Sequence, residues 1–488
     1  MAVTKNETTL LKNFINGQWE EAESHETLEV QNPATQEILA TVPISTLHDV
    51  NKAVKAAKKA FELWKDVPVP KRARIFFKYH NLLTENHDEL AKLIVLENGK
   101  AFKEAHGEVQ RGIECVEFAA GAPSLMMGES LSGIAENIDS EMFRYPLGVV
   151  GGITPYNFPM MVPLWMFPLA IACGNTFVLK PSERTPMLAN RLAELFTKAG
   201  APNGVLNIVH GSHDVVNGLI SHDDIKAISF VGSQPVAKYV YEQSAGNGKR
   251  VQALSGAKNH HFVMPDADME KAVNHVISSA YGSAGQRCMA CSAVVVIGDN
   301  DKFVKELKKK ADELHIGNGM EEEVLLTPVI RKEHREKALG YIEKGIEEGA
   351  ELIRDGRKEM DTMTDGHYLG PTIFDHVSPN MTIAKEEIFA PVLSLLRAKD
   401  LDEGLEFLRK SRFGNGATIY TKDAKAVRQF REEADAGMLG INVGVPATMA
   451  FFPFSGWKDS FYGDMHVNGK DGVNFYTRKK MITSRFDF

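Results

Sequence analysis

Residues 145–179 carry no charged side chain. A run that long without charge belongs either in a bilayer or deep inside a protein. Pro146, Pro155, Pro159, Pro163 and Pro168 interrupt it. Each proline removes a backbone donor and breaks helical continuity, so a spanning helix is excluded. The segment is expected to form a buried strand, a buried loop, a buried helix and a second strand. A loop hidden that deeply is expected beside a ligand site.

Strand and helix patterns alternate on either side of this segment. Residues 147–153, 176–179, 204–209 and 227–231 read as short apolar strands, and residues 187–199 and 214–220 as helices between them. That grammar builds a parallel, doubly wound sheet. It returns at 293–297, 301–314 and 391–396, so a second α/β unit is expected. The first hundred residues read as helices. Thr46 and Asp49 have capping-box spacing, and Val50, Ala53, Val54, Ala57, Phe61 and Trp64 recur at helical intervals. A second helix follows Pro70, and a third begins near Asp88 and stops at Asn98-Gly99. Residues 474–488 read as an edge strand that pairs with something else, such as another subunit.

A chain of 488 residues exceeds one ordinary core, so two or three domains are expected. The net charge of −8 disfavours nucleic acid and anionic lipid as partners. Cys115, Cys173, Cys288 and Cys291 are the only cysteines, too few for a disulfide framework and consistent with a reducing cytoplasm. The first residues lack the apolar stretch of a signal peptide.

Cys288 stands out among the four thiols. Its setting is Gly282-Ser-Ala-Gly-Gln-Arg-Cys-Met-Ala-Cys291. The small residues admit a substrate, and Arg287 is expected to lower the thiol pKa. Cys-x-x-Cys can mark a redox pair or half a zinc site, but the other cysteines are far away in sequence and no metal site is expected. Cys291, among small and apolar residues, reads as a buried structural thiol. Asn259-His-His261 with Asp266 and Asp268 suggests helix capping rather than a metal cluster, and Lys308-Lys-Lys310 a solvated helix face.

Weaker signals accompany the thiol. In Phe230-Val-Gly-Ser a buried strand ends just before a helix, where free N–H groups can meet phosphate. No G-x-G-x-x-G follows any strand. Lys180 closes another strand, with Glu183 behind it; the pair could face ribose hydroxyls or only solvent. Asn157 is the amide in the middle of the uncharged segment, and could serve an oxyanion or simply hold its loop.

Taken in order, Thr154-Pro-Tyr-Asn-Phe-Pro, Lys180-Pro-Ser-Glu, Phe230-Val-Gly-Ser, Gly285-Gln-Arg-Cys288, Glu386-Glu-Ile-Phe-Ala-Pro-Val392 and Phe452-Pro-Phe-Ser-Gly456 resemble the aldehyde dehydrogenase superfamily along essentially the whole chain. The resemblance implies an α/β fold with a variant Rossmann domain for NAD (residues 1–125 and 146–254). It also implies an α/β catalytic domain (255–455) and small β extensions for oligomerisation (126–145 and 470–488), in a cytoplasmic homotetramer. It assigns Cys288 as nucleophile, and the Asn157 side chain with the Cys288 N–H as the oxyanion hole. Lys180 and Glu183 would hold the adenosine ribose and favour NAD over NADP. Gly232 and Ser233 would face the pyrophosphate, and Glu387 and Phe389 the nicotinamide end. Thr154, Phe158 and Arg184 complete the implied cofactor contacts. Ala237 stands where many members have glycine, and only a local adjustment is expected there.

One departure carries more weight. Hydrolytic members have Glu-Leu-Gly-Gly-Lys 34 residues before the cysteine, where this chain has Leu254-Ser-Gly-Ala-Lys258. Leucine cannot serve as the base for water, which leaves a thioester open to another thiol such as coenzyme A. Leu254-Ser-Gly-Ala-Lys-Asn-His, Arg287-Cys-Met-Ala-Cys291 and Glu117-Phe-Ala-Ala-Gly-Ala-Pro-Ser-Leu-Met-Met127 are similar to the CoA-acylating branch that acts on methylmalonate and malonate semialdehydes. That branch yields propionyl-CoA or acetyl-CoA, carbon dioxide and NADH. Its substrates carry a carboxylate, for which Arg111 and Arg287 are the expected cations. A hydrolytic semialdehyde dehydrogenase is the alternative, and an inactive binding protein of the same fold is disfavoured by the presence of Cys288 and Asn157.

Overall fold

The structure is a computed structural model and describes residues 9–486. The first eight residues, on which the signal-peptide expectation rests, and the last two of the tail lie outside it.

Two sheets follow one another along the chain. The first has eight strands in the order Gln18–Glu20, Asn13–Ile15, Leu206–Ile208, Thr176–Lys180, Val149–Ile153, Ile225–Val231, Arg250–Leu254 and Phe461–Gly463. Its central strands are parallel. Every residue of Val149–Ile153 and Thr176–Lys180 is buried, as helices on both faces of a parallel sheet require. The helix Met161–Ala172 is buried from Val162 to Ala172. That all-round burial explains why residues 145–179 hold no charge, and among the described residues no helix is long and apolar enough to cross a membrane.

The second sheet has seven strands in the order Glu351–Arg354, Thr372–Asp375, Val392–Ala398, Cys291–Ile297, Asn259–Val263, Gly416–Tyr420 and Met438–Ile441. The short link 255–258 joins the last parallel strand of the first sheet to the first strand of the second. The C-terminal ends of one sheet therefore face the N-terminal ends of the next across this link.

In the first sheet the chain winds outward from Val149–Ile153 in one direction, then returns to continue from Ile225–Val231 in the other. These two strands are neighbours, with Phe230 beside Ile153. Ligands of such sheets bind at the carboxyl ends of the strands where the winding reverses. Thr154 and Gly232 each follow one of those ends.

The N-terminal part differs from the helical expectation. Four strands, Asn13–Ile15, Gln18–Glu20, Thr27–Gln31 and Ile38–Pro43, precede the first helix. The first two are three residues each, too short for an alternating pattern to register, and they turn at Asn16-Gly17 with φ of 52° and 77°. That dipeptide is itself a hairpin signal. The helices then match: Leu47–Trp64 begins with a complete capping box at Thr46 and Asp49, and His87–Asn98 ends on Gly99 at φ 82°.

The tail strand Thr477–Arg485 has its hydrogen-bonded neighbour in the same chain, Ile138–Pro146, which also pairs with Glu129–Ala135. The tail is thus an edge strand, but of an intrachain three-stranded sheet. Asp268 caps the helix Met269–Tyr281 as expected. Asp266 instead accepts from Thr421 and from the Lys422 N–H, and ties two loops together.

Asn175 joins the uncharged segment to the tail. Its Oδ1 accepts from the N–H groups of Leu147 and Gly148 at 2.7 and 3.1 Å, and its Nδ2 donates to the carbonyls of Ala170 and Tyr476 at 2.9 Å each. It is fully buried, so removing the side chain strands the N–H groups of Leu147 and Gly148 and the Tyr476 carbonyl, at a cost of about 1–3 kcal/mol for each group left dry, while the Ala170 carbonyl keeps the backbone N–H of residue 175. Asn175→Ala is expected to lower the thermal unfolding midpoint by more than about 4 °C. An unchanged midpoint in differential scanning fluorimetry would contradict this role.

Candidate active site

Cys288 lies just before the strand Cys291–Ile297, in a β-turn closed by the Ala290 N–H to the Arg287 carbonyl at 3.0 Å. Three consecutive left-handed residues precede it: Ser283, Ala284 and Gly285, at φ 51°, 52° and 69°. Left-handed backbone costs a non-glycine residue energy, so the turn needs anchors. Glu104 supplies one, accepting from the Ser283 N–H at 2.8 Å and pairing with Arg287 at 3.3 Å. Gly285 supplies another: a Cβ there would stand 2.5 Å from the Ala390 carbonyl oxygen, so the loop carrying Glu387 and Phe389 presses directly on the turn. Asn259 and Asn415 both donate to the Cys288 carbonyl, at 2.9 and 3.0 Å.

Asn157 reaches the same turn from the first sheet. It is buried, and its Nδ2 donates to the Gln286 carbonyl at 3.0 Å. An amide nitrogen has two hydrogens, which leaves one for an oxyanion on a group bonded to Cys288. The Asn157 loop is held by the Lys100–Glu108 ion pair, 2.6 Å long with both side chains about 1% exposed. The Lys100 ammonium also donates to the Asn157 carbonyl at 2.8 Å and lies 4.2 Å from the centre of the Phe158 ring. Glu108 accepts from the N–H groups of Met160 and Met161 at the other end of the loop. Asn98 donates to the Tyr156 carbonyl at 3.0 Å, and the Tyr156 hydroxyl donates to Gln286 at 3.1 Å.

The thiol environment differs from the sequence expectation. Burial pushes the Cys288 thiol up to about 12, and the charge of Glu387 adds to the rise. The N–H groups of Cys288 and Met289 and the Arg287 charge oppose it without prevailing. Arg287 is weak here because its guanidinium is committed elsewhere. Besides Glu104, it donates to the carbonyls of Ser278 and Ser279 at the end of the preceding helix. Cys288 packs against the apolar cluster that contains Leu254, Met289 and Phe454. Leu254 is 4% exposed.

Lys180 and Glu183 form a 3.0 Å ion pair at the end of the strand Thr176–Lys180. Burial raises the Glu183 carboxyl, but the Lys180 charge and hydrogen bonds outweigh it and hold the group below its ordinary range. The Thr154 N–H donates to the Lys180 carbonyl at 3.1 Å, which ties the two strand ends together. Arg184 follows Glu183, and burial lowers its pKa. Ser233 starts the helix Gln234–Gly246 without a side-chain cap. At Gly232 a Cβ would stand 2.5 Å from the Phe230 ring. N–H groups left without a side-chain cap at this helix entrance suit a pyrophosphate, and an ionised acid beside a lysine suits ribose hydroxyls, so these residues fit a dinucleotide.

Glu387 accepts from the Ala257 N–H at 2.9 Å, and burial lifts its carboxyl to about 7. Phe389 sits at φ 60°, with its carbonyl accepting from His334 at 2.7 Å and its ring 6.2 Å from that of Tyr156. Arg111, on the helix Phe102–Ala120, has Glu114 at 3.3 Å and its side chain is 36% exposed. Sequence reading missed Asn98, Lys100, Glu104, Glu108, Gln286 and Asn415, because each acts through the backbone of a distant segment. The run Glu97-Asn98-Gly99-Lys100 did carry a signal: three polar residues directly after an apolar helix face, all of them buried.

The model of the aldehyde dehydrogenase family matches residues 19–482. The chain is 80% identical to malonate-semialdehyde dehydrogenase 1 of Geobacillus kaustophilus over the full length of both. Among solved structures, methylmalonate-semialdehyde dehydrogenase of Oceanimonas doudoroffii superposes with a TM-score of 0.96 at 44% identity, covering 99% of each chain. An NAD+ complex of aldehyde dehydrogenase from Bacillus cereus gives a TM-score of 0.93 at 34% identity, covering 98% of this chain and 97% of the other.

Two outcomes test the geometry. Lys100→Met leaves Glu108 buried without its partner and is expected to cost about 3–5 kcal/mol of stability. Lys100→Met with Glu108→Gln removes both charges and should recover most of that stability, yet acylation of Cys288 by p-nitrophenyl acetate should stay at least about tenfold slow. A double variant that acylates normally would remove the pair from the chemistry. Separately, Glu387→Gln removes a negative charge facing the sulfur, so the pH midpoint for iodoacetamide alkylation of Cys288 should fall.

Proposed function

The chain belongs to the aldehyde dehydrogenase family, and from that premise we propose that it is an NAD-dependent, CoA-acylating dehydrogenase of malonate and methylmalonate semialdehydes. The observation that carries this reading is Leu254. In this chain a buried leucine stands at the sequence position, 34 residues before Cys288, where hydrolytic members carry their base. Water then lacks a general base, while a thiol needs far less help to attack a thioester.

The Cys288 thiol would give up its proton to solvent and add as thiolate to the aldehyde carbon, and the oxyanion formed would take hydrogen bonds from the Asn157 amide and the Cys288 N–H. NAD, when bound, supplies the acceptor for the aldehyde hydride. Lys180 and Glu183 would hold its adenosine ribose, and the ionised Glu183 would repel a 2′-phosphate, which favours NAD over NADP. Gly232 and Ser233, at the open helix entrance, would face the pyrophosphate, and Thr154, Phe158 and Arg184 would line the approach to it. Glu387 and Phe389 would hold the nicotinamide end.

Loss of hydride leaves a thioester on Cys288 with a carboxylate β to its carbonyl. The carbon–carboxylate bond then breaks, its electron pair enters the thioester carbonyl as an enolate, carbon dioxide leaves, and the carbon takes a proton. The oxyanion donors proposed for the first step would serve this enolate as well. Coenzyme A, as cosubstrate, would attack the remaining thioester and carry off the acetyl or propionyl group, returning the Cys288 thiol.

Arg111 and Arg287 would bind the substrate carboxylate. Arg111 is the freer of the two, since among the described residues Glu114 is its single ion-pair partner and its side chain is partly open. Arg287 would first have to loosen its contacts with Glu104 and the Ser278 and Ser279 carbonyls. A cytoplasmic homotetramer is the proposed assembly. Its support is the small sheet of residues 129–146 and 477–485, which exposes Leu131 on one edge strand, Met481 and Ile482 on the other, and Phe143 on the strand between them.

Product analysis with malonate and methylmalonate semialdehydes, NAD, and CoA present or absent tests the proposal. Acetyl-CoA and propionyl-CoA should form with CoA, and little free acid without it. Leu254→Glu should raise free-acid formation at least about tenfold. Rapid acid formation by the unaltered enzyme in the absence of CoA would instead identify a hydrolytic dehydrogenase.

A further inference from the structure

Lys258 is 2% exposed, and its ammonium has no hydrogen-bond partner among the described residues. A buried cation without a partner costs stability, and costly groups that persist are found at working sites. Its position is specific. Lys258 ends the link between the two sheets, and the two residues before it form the bed of Glu387. The Ala257 N–H donates to Glu387 Oε1 at 2.9 Å, and a Cβ on Gly256 would stand 2.5 Å from Glu387 Oε2. Glu387 is the charged group that acts most strongly on Lys258, ahead of Cys291 and Glu386.

We propose that Lys258 is a positioning residue whose buried ammonium supports Glu387 in its bed along Gly256 and Ala257, ready to accept hydrogen bonds from the ribose hydroxyls at the nicotinamide end of the dinucleotide. This rests on the reading of Glu387 as a cofactor contact. The reason for the device lies in the burial of Glu387. Burial alone lifts that carboxyl toward neutrality, and a protonated acid loses part of its accepting capacity. The Ala257 N–H and the charges of Lys258 and Lys337 oppose the rise.

The other groups that face this pair limit the alternatives. Glu387 also acts on Tyr156, Cys288 and Tyr341, none of which carries positive charge. Burial and the Lys258 charge itself both lower His260, whose Nδ1 lies 2.8 Å from the Lys258 carbonyl; His260 is neutral at working pH and cannot replace the ammonium. Burial lowers Lys258 to about 8, so it is mostly protonated at neutral pH. The sign then follows. Removing Lys258 removes a cation that lowers the Glu387 pKa, so Glu387 stays protonated to a higher pH and dinucleotide binding weakens on the acid side.

Lys258→Met, Glu387→Gln and the double variant test this, with kcat/KM for NAD measured from pH 6 to pH 9.5. Lys258→Met should shift the acid limb upward by about one pH unit and lower kcat/KM several-fold at pH 7, with values near normal at pH 9. Its thermal midpoint should equal or exceed that of the unaltered enzyme, since an uncompensated buried charge is gone. In the Glu387→Gln background, Lys258→Met should have no further effect on NAD. If Glu387→Gln leaves NAD kinetics unchanged, the assignment of Glu387 is wrong. If Glu387→Gln impairs NAD use but Lys258→Met leaves the profile in place, or acts equally in both backgrounds, the role proposed for Lys258 is overturned.

Discussion

A single buried ion pair, Lys100 with Glu108, holds the site in register. Two fully enclosed charges repay their desolvation only when their remaining hydrogen-bonding capacity is met, and here it is met by the loop that carries Asn157. Lys100 takes the Asn157 carbonyl and the face of Phe158, while Glu108 takes the Met160 and Met161 N–H groups. A loop with proline on both sides of its functional amide cannot build a regular hydrogen-bond ladder of its own. The pair supplies that missing framework, and the Asn157 amide is thereby fixed against the Gln286 carbonyl, two residues before the nucleophile.

The fold makes this economy possible by placing the two sheets end to end. The winding reversal of the first sheet puts Thr154 and Gly232 at adjacent strand ends, while the second sheet begins with Asn259 and Cys291 just across the link. Residues 254–258 bear on the proposed chemistry at three points. Leu254 stands where hydrolytic members carry a base, Gly256 and Ala257 form the bed of Glu387, and Lys258 follows them, buried. In the proposed function this stretch of five residues bears on both the fate of the thioester and the grip on the dinucleotide.

The sequence was most legible where one residue type has one physical use. The prolines and missing charges of residues 145–179 required a buried strand, loop and helix, and Val149–Ile153, Met161–Ala172 and Thr176–Lys180 are those elements. Cys288 and Asn157 are brought to one turn. Groups that act over long separations were less legible. Glu104 is far in sequence from Ser283, and Lys100 from Asn157, so no local pattern reports their contacts. The thiol shows the same limit. Adjacency to Arg287 suggested a lowered pKa, yet the guanidinium turns toward Glu104 and helix carbonyls, and burial with Glu387 drives the thiol the other way. The hairpin at Asn16-Gly17 was readable from its turn dipeptide, but its strands are too short to announce themselves by alternation.

Charge placement, then, decides the chemistry at Cys288 as much as the nucleophile does. In the proposed mechanism the thioester on Cys288 is protected from water because Leu254 stands where hydrolytic members carry a base. Intact-protein mass spectrometry measures that protection most directly. Enzyme mixed with malonate semialdehyde and NAD, without CoA, is expected to carry an acetyl-sized adduct on Cys288 that persists and then clears within a turnover of adding CoA. An adduct that decays in water alone as fast as it does with CoA would contradict a thioester reserved for a thiol acceptor.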